Sequence, residues 1–110
     1  MNPRIKAMWI EALCSGEYKQ AKDALHPADG FCCLGVLCDL YIRERCINWA
    51  GSEWRGIMRG HEDENLPPEV QEWAGLADAE TENPDPLGLS MKNDDGVPFS
   101  EIATLIEEGL

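Results

Sequence analysis

No stretch of this 110-residue chain stays apolar for the roughly 20 residues that a membrane span needs. The first residues also lack a signal-type apolar core, because Arg4, Lys6 and Glu11 interrupt it. A cytoplasmic protein is therefore expected, with no membrane partner. Only two histidines occur, His26 and His61, which leaves little for imidazole chemistry. There is no phosphate-binding glycine loop and no dinucleotide glycine pattern, so the common nucleotide-dependent enzyme classes are excluded. Positive charge is scarce as well: nine Lys and Arg stand against 21 Asp and Glu.

That scarcity is uneven. Residues 1–60 carry eight of the nine cations and a net charge of +1, whereas residues 61–110 carry only Lys92 and a net charge of −13. Self-repulsion on such a surface costs stability unless something offsets it. The tract Glu62, Asp63, Glu64, Glu69, Glu72, Asp78, Glu80, Glu82 and Asp85 reads either as a solvated face or as an interface for a basic partner. The same charge argues against direct contact with a DNA backbone.

Length and composition suit one domain, 1–110, with one modest core: 44% of residues are hydrophobic and four are Trp. Asn2 and Pro3 open a first helix, and Ile5, Met8, Trp9, Ala12 and Leu13 form its apolar stripe until Gly16 ends it. Phe31 to Ile42 is the most apolar stretch, with Asp39 its only charge, and its length favours a buried helix. Gly35 within it marks a close approach. Pro67-Pro68 starts a short helix whose inward residues are Val70, Trp73 and Ala74, and Gly75-Leu76 stops it. Leu87 to Met91 adds one helical turn, and Phe99, Ile102, Ala103 and Ile106 define the last helix, which Gly109 closes.

Between these elements the reading is looser. A hairpin from Tyr18–Leu25 to Phe31–Cys33 fits around the turn residues His26-Pro27-Ala28-Asp29-Gly30. Gly51, Gly56 and Gly60 point to turns or a short irregular pair of strands in 43–65, and 77–86 reads as a surface loop. The expected fold is α+β and mostly α: three or four short helices around Trp9, Leu34, Leu37, Trp73, Phe99 and Ile106, with room for one small β-hairpin.

Candidate chemistry is thin. Cys33 and Cys38 with Cys46 and His61 make a poor zinc set, since no second closely spaced pair follows; the five cysteines read as reduced, mostly buried thiols. His61 heads an acidic run and His26 lies in a turn, so a Cys/His nucleophile pair is not expected. Asn93-Asp94-Asp95-Gly96 fails as a calcium loop, because Met91 and Ile102 would fill its first and twelfth positions. No metal or other cofactor is expected. The segment Arg43, Arg45, Trp49, Trp54 and Arg55 has the groups that fork onto phosphate and stack on bases, and its bland reading is core indoles with arginines paired to acids of the second half.

Several segments resemble a group of small proteins carried by bacteriophages and prophages. They are Trp9-Ile10-Glu11-Ala12-Leu13 with Ser15-Gly16-Glu17-Tyr18 and Gln20; Phe31 to Leu40, with its Cys-Cys-Leu-Gly-Val core; Leu66-Pro67-Pro68-Glu69-Val70 with Trp73 and Gly75-Leu76; and Asn93-Asp94, Gly96, Phe99, Glu101-Ile102-Ala103 and Leu105-Ile106-Glu107. The resemblance covers most of the chain, leaves out 43–65 and 77–90, and implies an accessory gene of a mobile element. By analogy, small acidic phage proteins block host or defence proteins. The leading expectation is a non-enzymatic, anti-CRISPR-like inhibitor that occupies a basic surface of a host or defence protein, with self-association left open. The second is a binder that sequesters a nucleotide signal through Arg43, Arg45, Trp49, Trp54 and Arg55. A small hydrolase comes third.

Overall fold

The computed structural model describes residues 1–60, 65–76 and 85–110. Six α-helices carry the fold among these residues: α1 (Pro3–Cys14), α2 (Cys33–Arg45), α3 (Ser52–Met58), α4 (Pro68–Ala74), α5 (Leu89–Asp94) and α6 (Phe99–Gly109), with a 3-10 turn at Pro86–Gly88 before α5. The architecture is mostly α, as expected, but it contains more and shorter helices than the apolar stripes alone indicate.

α1 begins as its sequence dictates. The Asn2 side chain accepts hydrogen bonds from the backbone N–H groups of Arg4 (2.9 Å) and Ile5 (3.2 Å), satisfying donors that have no partner within the helix. Ile5, Trp9 and Leu13 then face inward against α6 and α2. α6 presents Phe99, Ile102, Ala103 and Ile106 in return. Ile5, Trp9, Leu34, Val36, Leu37, Ile102 and Ile106 are fully buried, and burial of each such side chain contributes about 1.5–3 kcal/mol. The buried Trp9 indole donates to the Cys33 carbonyl at 3.0 Å, which ties α1 to the first turn of α2.

The helix expected at Phe31–Ile42 starts two residues later and runs three further. Cys32 caps it: its Sγ accepts from the Gly35 N–H at 3.3 Å. Gly35 justifies its position sterically, since a Cβ there would lie 1.7 Å from the Leu25 carbonyl oxygen. α4 ends as read, with Gly75 left-handed and the Leu76 N–H on the Gln71 carbonyl at 2.8 Å.

Two expectations are corrected. The Tyr18–Leu25 and Phe31–Cys33 hairpin does not form, and there is no strand among the described residues. Gln20 and Phe31 instead make one isolated bridge in the parallel sense, held by Ala21 N–H to Phe31 O and Phe31 N–H to Lys19 O, both 2.8 Å. A tight hairpin requires antiparallel neighbours, and this loop turns too widely to supply them. The strand pair suggested for 43–65 is also replaced. Gly51 precedes α3 and Gly56 lies within it, so two glycines that resemble turn punctuation serve a helix.

The polar side chains that enter the core are structural. Asn93 is fully buried; its Oδ1 accepts from Gln20 Nε2 (2.9 Å) and the Cys33 N–H (3.2 Å), and its Nδ2 donates to the Ala21 carbonyl (2.8 Å). Gln20 continues to the Val97 carbonyl and receives the Phe99 N–H. Asn93 and Gln20, with Asp94 accepting from the Asp23 N–H at 3.1 Å, thus lock the long loop after α1 onto α5 and the start of α6. Among the described residues, no helix is long and apolar enough to cross a membrane.

Candidate functional site

The single charge in the apolar run becomes the centre of the site. Asp39 lies on α2, 6% exposed, and its carboxylate takes three charge-assisted hydrogen bonds. Tyr18 Oη donates to Oδ2 at 2.6 Å, Arg43 Nε to Oδ2 at 2.8 Å and Trp49 Nε1 to Oδ1 at 2.9 Å. Arg43 is one helical turn from Asp39 and also stands over the Tyr18 ring, 5.6 Å from its centroid. Desolvation, followed by the bond to Asp39, raises the Tyr18 pKa well above its ordinary value. The phenol is therefore kept as a proton donor to the carboxylate.

Trp49 reaches Asp39 because α2 stops in a left-handed cap. Cys46 adopts φ 56°, and the Ile47 N–H returns to the Ile42 carbonyl at 3.1 Å. The chain folds back, and α3 then sets Trp54 edge-on to Trp49, with ring centroids 5.1 Å apart. Trp54 is buried and also meets Tyr41 at 6.2 Å. From the other side, the close approach at Gly35 brings in Leu25 and His26. The His26 ring stacks on Phe31 at 4.0 Å and sits 4.9 Å from Trp49. Its Nδ1 lies 2.5 Å from the Gly30 carbonyl, which can only accept; Nδ1 therefore carries the proton, and Nε2 is an acceptor in the neutral ring.

These residues border an open cavity of about 260 Å³ lined by Ala24, Leu25, His26, Trp49, Trp54, Arg55 and Met58. The Arg55 guanidinium makes no ion pair or hydrogen bond among the described residues. Three of the five residues expected to contact a nucleotide thus meet at one cavity: Trp49, Trp54 and Arg55. Arg43 is committed to Asp39, and Arg45 lies over Tyr41 at 5.0 Å. Sequence reasoning set His26 aside as a turn residue and overlooked Met58. The available signal was Asp39, a lone carboxylate in an apolar run that had to find donors.

The acidic face is the second feature. Of the carboxylates expected to bind a partner, Glu62, Asp63, Glu64, Asp78, Glu80 and Glu82 lie outside the described residues, as does His61. Glu69 and Glu72 are exposed on α4, three residues apart and so on neighbouring positions of one helix side. Among the described residues, the ion pairs are Arg4–Glu44, Lys19–Asp29 and Arg43–Asp39, all within the first 44 residues. Glu69, Glu72, Asp94, Asp95, Glu101, Glu107 and Glu108 take part in none. Lys6 and Lys92 do not change this, since their ammonium groups go to the carbonyls of Glu107 and Leu87.

The thiols divide by burial. Cys32, Cys33 and Cys38 are buried, and Cys14 and Cys46 are exposed. Desolvation pushes the Cys32 thiol up to about 11, raises Cys33 further, and raises Cys38 well above its ordinary value. No group of three metal-binding side chains occurs among the described residues.

The whole chain, residues 1–110, matches the family model described as a domain of unknown function, DUF8296. No curated protein and no solved structure matches it.

Proposed function

The chain belongs to the DUF8296 family, and from that premise we propose that it is a non-enzymatic binding protein whose acidic C-terminal half occupies a basic surface of a host macromolecule. The reading extends to a cytoplasmic accessory protein of a phage or prophage, acting against a host defence protein. One observation carries it: the described carboxylates of α4, α5 and α6 are left without ion pairs, while the arginines that form ion pairs do so with acids of the first half. Internal neutralisation was the bland account of the charge asymmetry, and among the described residues these pairings do not supply it. Carboxylates spaced along an exposed side compete with phosphates for Lys and Arg, steer association and lose strength with salt.

The chemistry of the described side chains supports binding over catalysis. Burial keeps the three core thiols protonated, and Tyr18 is held as a neutral donor. Neither offers the activated nucleophile that covalent catalysis needs.

The test is charge reversal. A chain with Glu62, Asp63, Glu64, Glu69 and Glu72 changed to Lys is compared with the wild type for capture of host proteins, at low salt and at about 0.5 M salt. The expected result is a partner that the wild type retains at low salt and releases at high salt, and that the folded variant does not retain. Equal retention by the variant overturns the acidic interface.

A further inference from the structure

We propose that the cavity between the His26 loop and α3 is a binding site for a mononucleotide, whose base enters against Trp49 and Trp54 and whose phosphate meets Arg55. This goes beyond the docking role above and stands on a different part of the molecule.

The shape comes first. The cavity of about 260 Å³ lies near the lower end of ligand-site volumes, about 300 Å³, and opens to solvent, so a flat ring can enter while the rest of the ligand stays outside. Its walls are flat and set at an angle. The Trp49 and Trp54 rings are inclined at 66° to each other, a corner in which a planar ligand stacks on one indole and meets the edge of the other. Stacking of a base on an aromatic side chain is worth about 1–3 kcal/mol and suits every base.

The corner is rigid before any ligand arrives. Trp49 is fixed by its bond to Asp39, and Trp54 is packed against Tyr41. Side chains already ordered lose little further freedom on binding.

The polar groups set the ligand class. An apolar cavity alone accepts any small hydrophobe, but this one carries a guanidinium without a partner among the described residues. Arg55 is exposed in α3, on the same element as Trp54, and forks onto phosphate in a way that a neutral ligand cannot use. His26 Nε2, the ring nitrogen not turned to Gly30, adds a second hydrogen-bonding group. A flat ring with a hydrogen-bonding edge and one anionic group describes a nucleotide. The carboxylates Asp39 and Glu44 do not compete for Arg55, being paired with Arg43 and Arg4.

The full chain is titrated with AMP, GMP, CMP and UMP, their cyclic forms and the parent nucleosides, followed by tryptophan fluorescence and by melting temperature. The expected result is quenching and a raised melting temperature with at least one nucleotide, since a ligand specific for the native state stabilises it. Its nucleoside binds at least tenfold more weakly, and Arg55→Glu weakens the nucleotide at least tenfold while the ligand-free melting temperature holds. The charge-reversed variant of the acidic face binds the nucleotide as the wild type does, which separates this site from the docking surface. No response to any nucleotide at millimolar concentration overturns the proposal. So does equal affinity for nucleoside and nucleotide, equal affinity in Arg55→Glu, or tighter binding of a simple aromatic carboxylate such as indole-3-carboxylate.

Discussion

The Trp49 indole donates to the Asp39 carboxylate at 2.9 Å, joining the loop after α2 to the middle of the same helix, ten residues earlier. The bond does two things. It helps make a buried charge tolerable, together with Tyr18 and Arg43, and it fixes one wall of the aromatic cavity. A carboxylate removed from water costs several kcal/mol unless donors surround it, so the three bonds act as one unit.

Asp39→Asn should expose that dependence. The amide offers one acceptor oxygen and no charge, so the donors from Tyr18, Arg43 and Trp49 cannot all be satisfied. A loss of about 2–4 kcal/mol in urea unfolding is expected, against about 1–2 kcal/mol for Tyr18→Phe, which removes one donor and leaves the charge. Equal losses in the two variants would mean that the carboxylate is not the centre of the network.

Alkaline pH should destabilise the fold through the same burial. Tyr18, Cys32, Cys33 and Cys38 all have folded-state pKa values raised above their ordinary ones, mainly by desolvation. For a raised pKa, the folded state holds the proton more tightly than the unfolded chain. That contribution is complete below the unfolded value and is lost as pH rises towards the folded one. For Cys32 the window runs from 9.0 to about 11. Urea midpoints measured under reducing conditions should therefore stay level through neutral pH and decline above pH 9, with a shallower decline in Cys38→Ala. A flat profile to pH 11 contradicts the burial of these groups.

Two glycines separate close approach from incidental placement. At Gly35 a Cβ meets the Leu25 carbonyl at 1.7 Å, whereas at Gly56 nothing lies within 4 Å. Gly35→Ala must push the His26 loop off α2 and should cost about 3 kcal/mol or more. Gly56→Ala should stabilise α3 by about 0.5–1 kcal/mol, because alanine restricts the unfolded chain and favours helix. Thermal melts of both variants give the comparison, and the signs should be opposite.

Where local signals agree, the sequence reads well. α1, α4 and α6 have a start, a periodic stripe and a stop, and each occurs where it was expected. The failures share a cause. Gly56 looks like a turn because glycine disfavours a helix interior, yet α3 forms when Trp54 packs against Trp49 and Tyr41. The loop from Tyr18 to Phe31 has strand-like residues, but Asn93, Val97 and Phe99 engage its polar groups, Gln20 above all, from far along the chain. The site was half legible for the same reason. Trp49, Trp54 and Arg55 are near in sequence, whereas His26 joins them only through the contact at Gly35.

Thiol chemistry offers the sharpest check on the core. Cys32 and Cys33 are adjacent in sequence, and both are buried beside Cys38, while Cys14 and Cys46 are exposed on the helix ends. Thiol reagents attack the thiolate, so reactivity requires both access and an accessible pKa. The native protein should therefore titrate two of its five cysteines rapidly, and all five after unfolding. Cys14→Ser and Cys46→Ser should each remove one rapid equivalent. Protection of the other three should last as long as the fold does, because their exposure requires α2 to leave the core formed with α1, α4 and α5. A third thiol that reacts at the rapid rate would mean that α2 opens locally, and Cys32, at the N-cap where α2 begins, is where that should start.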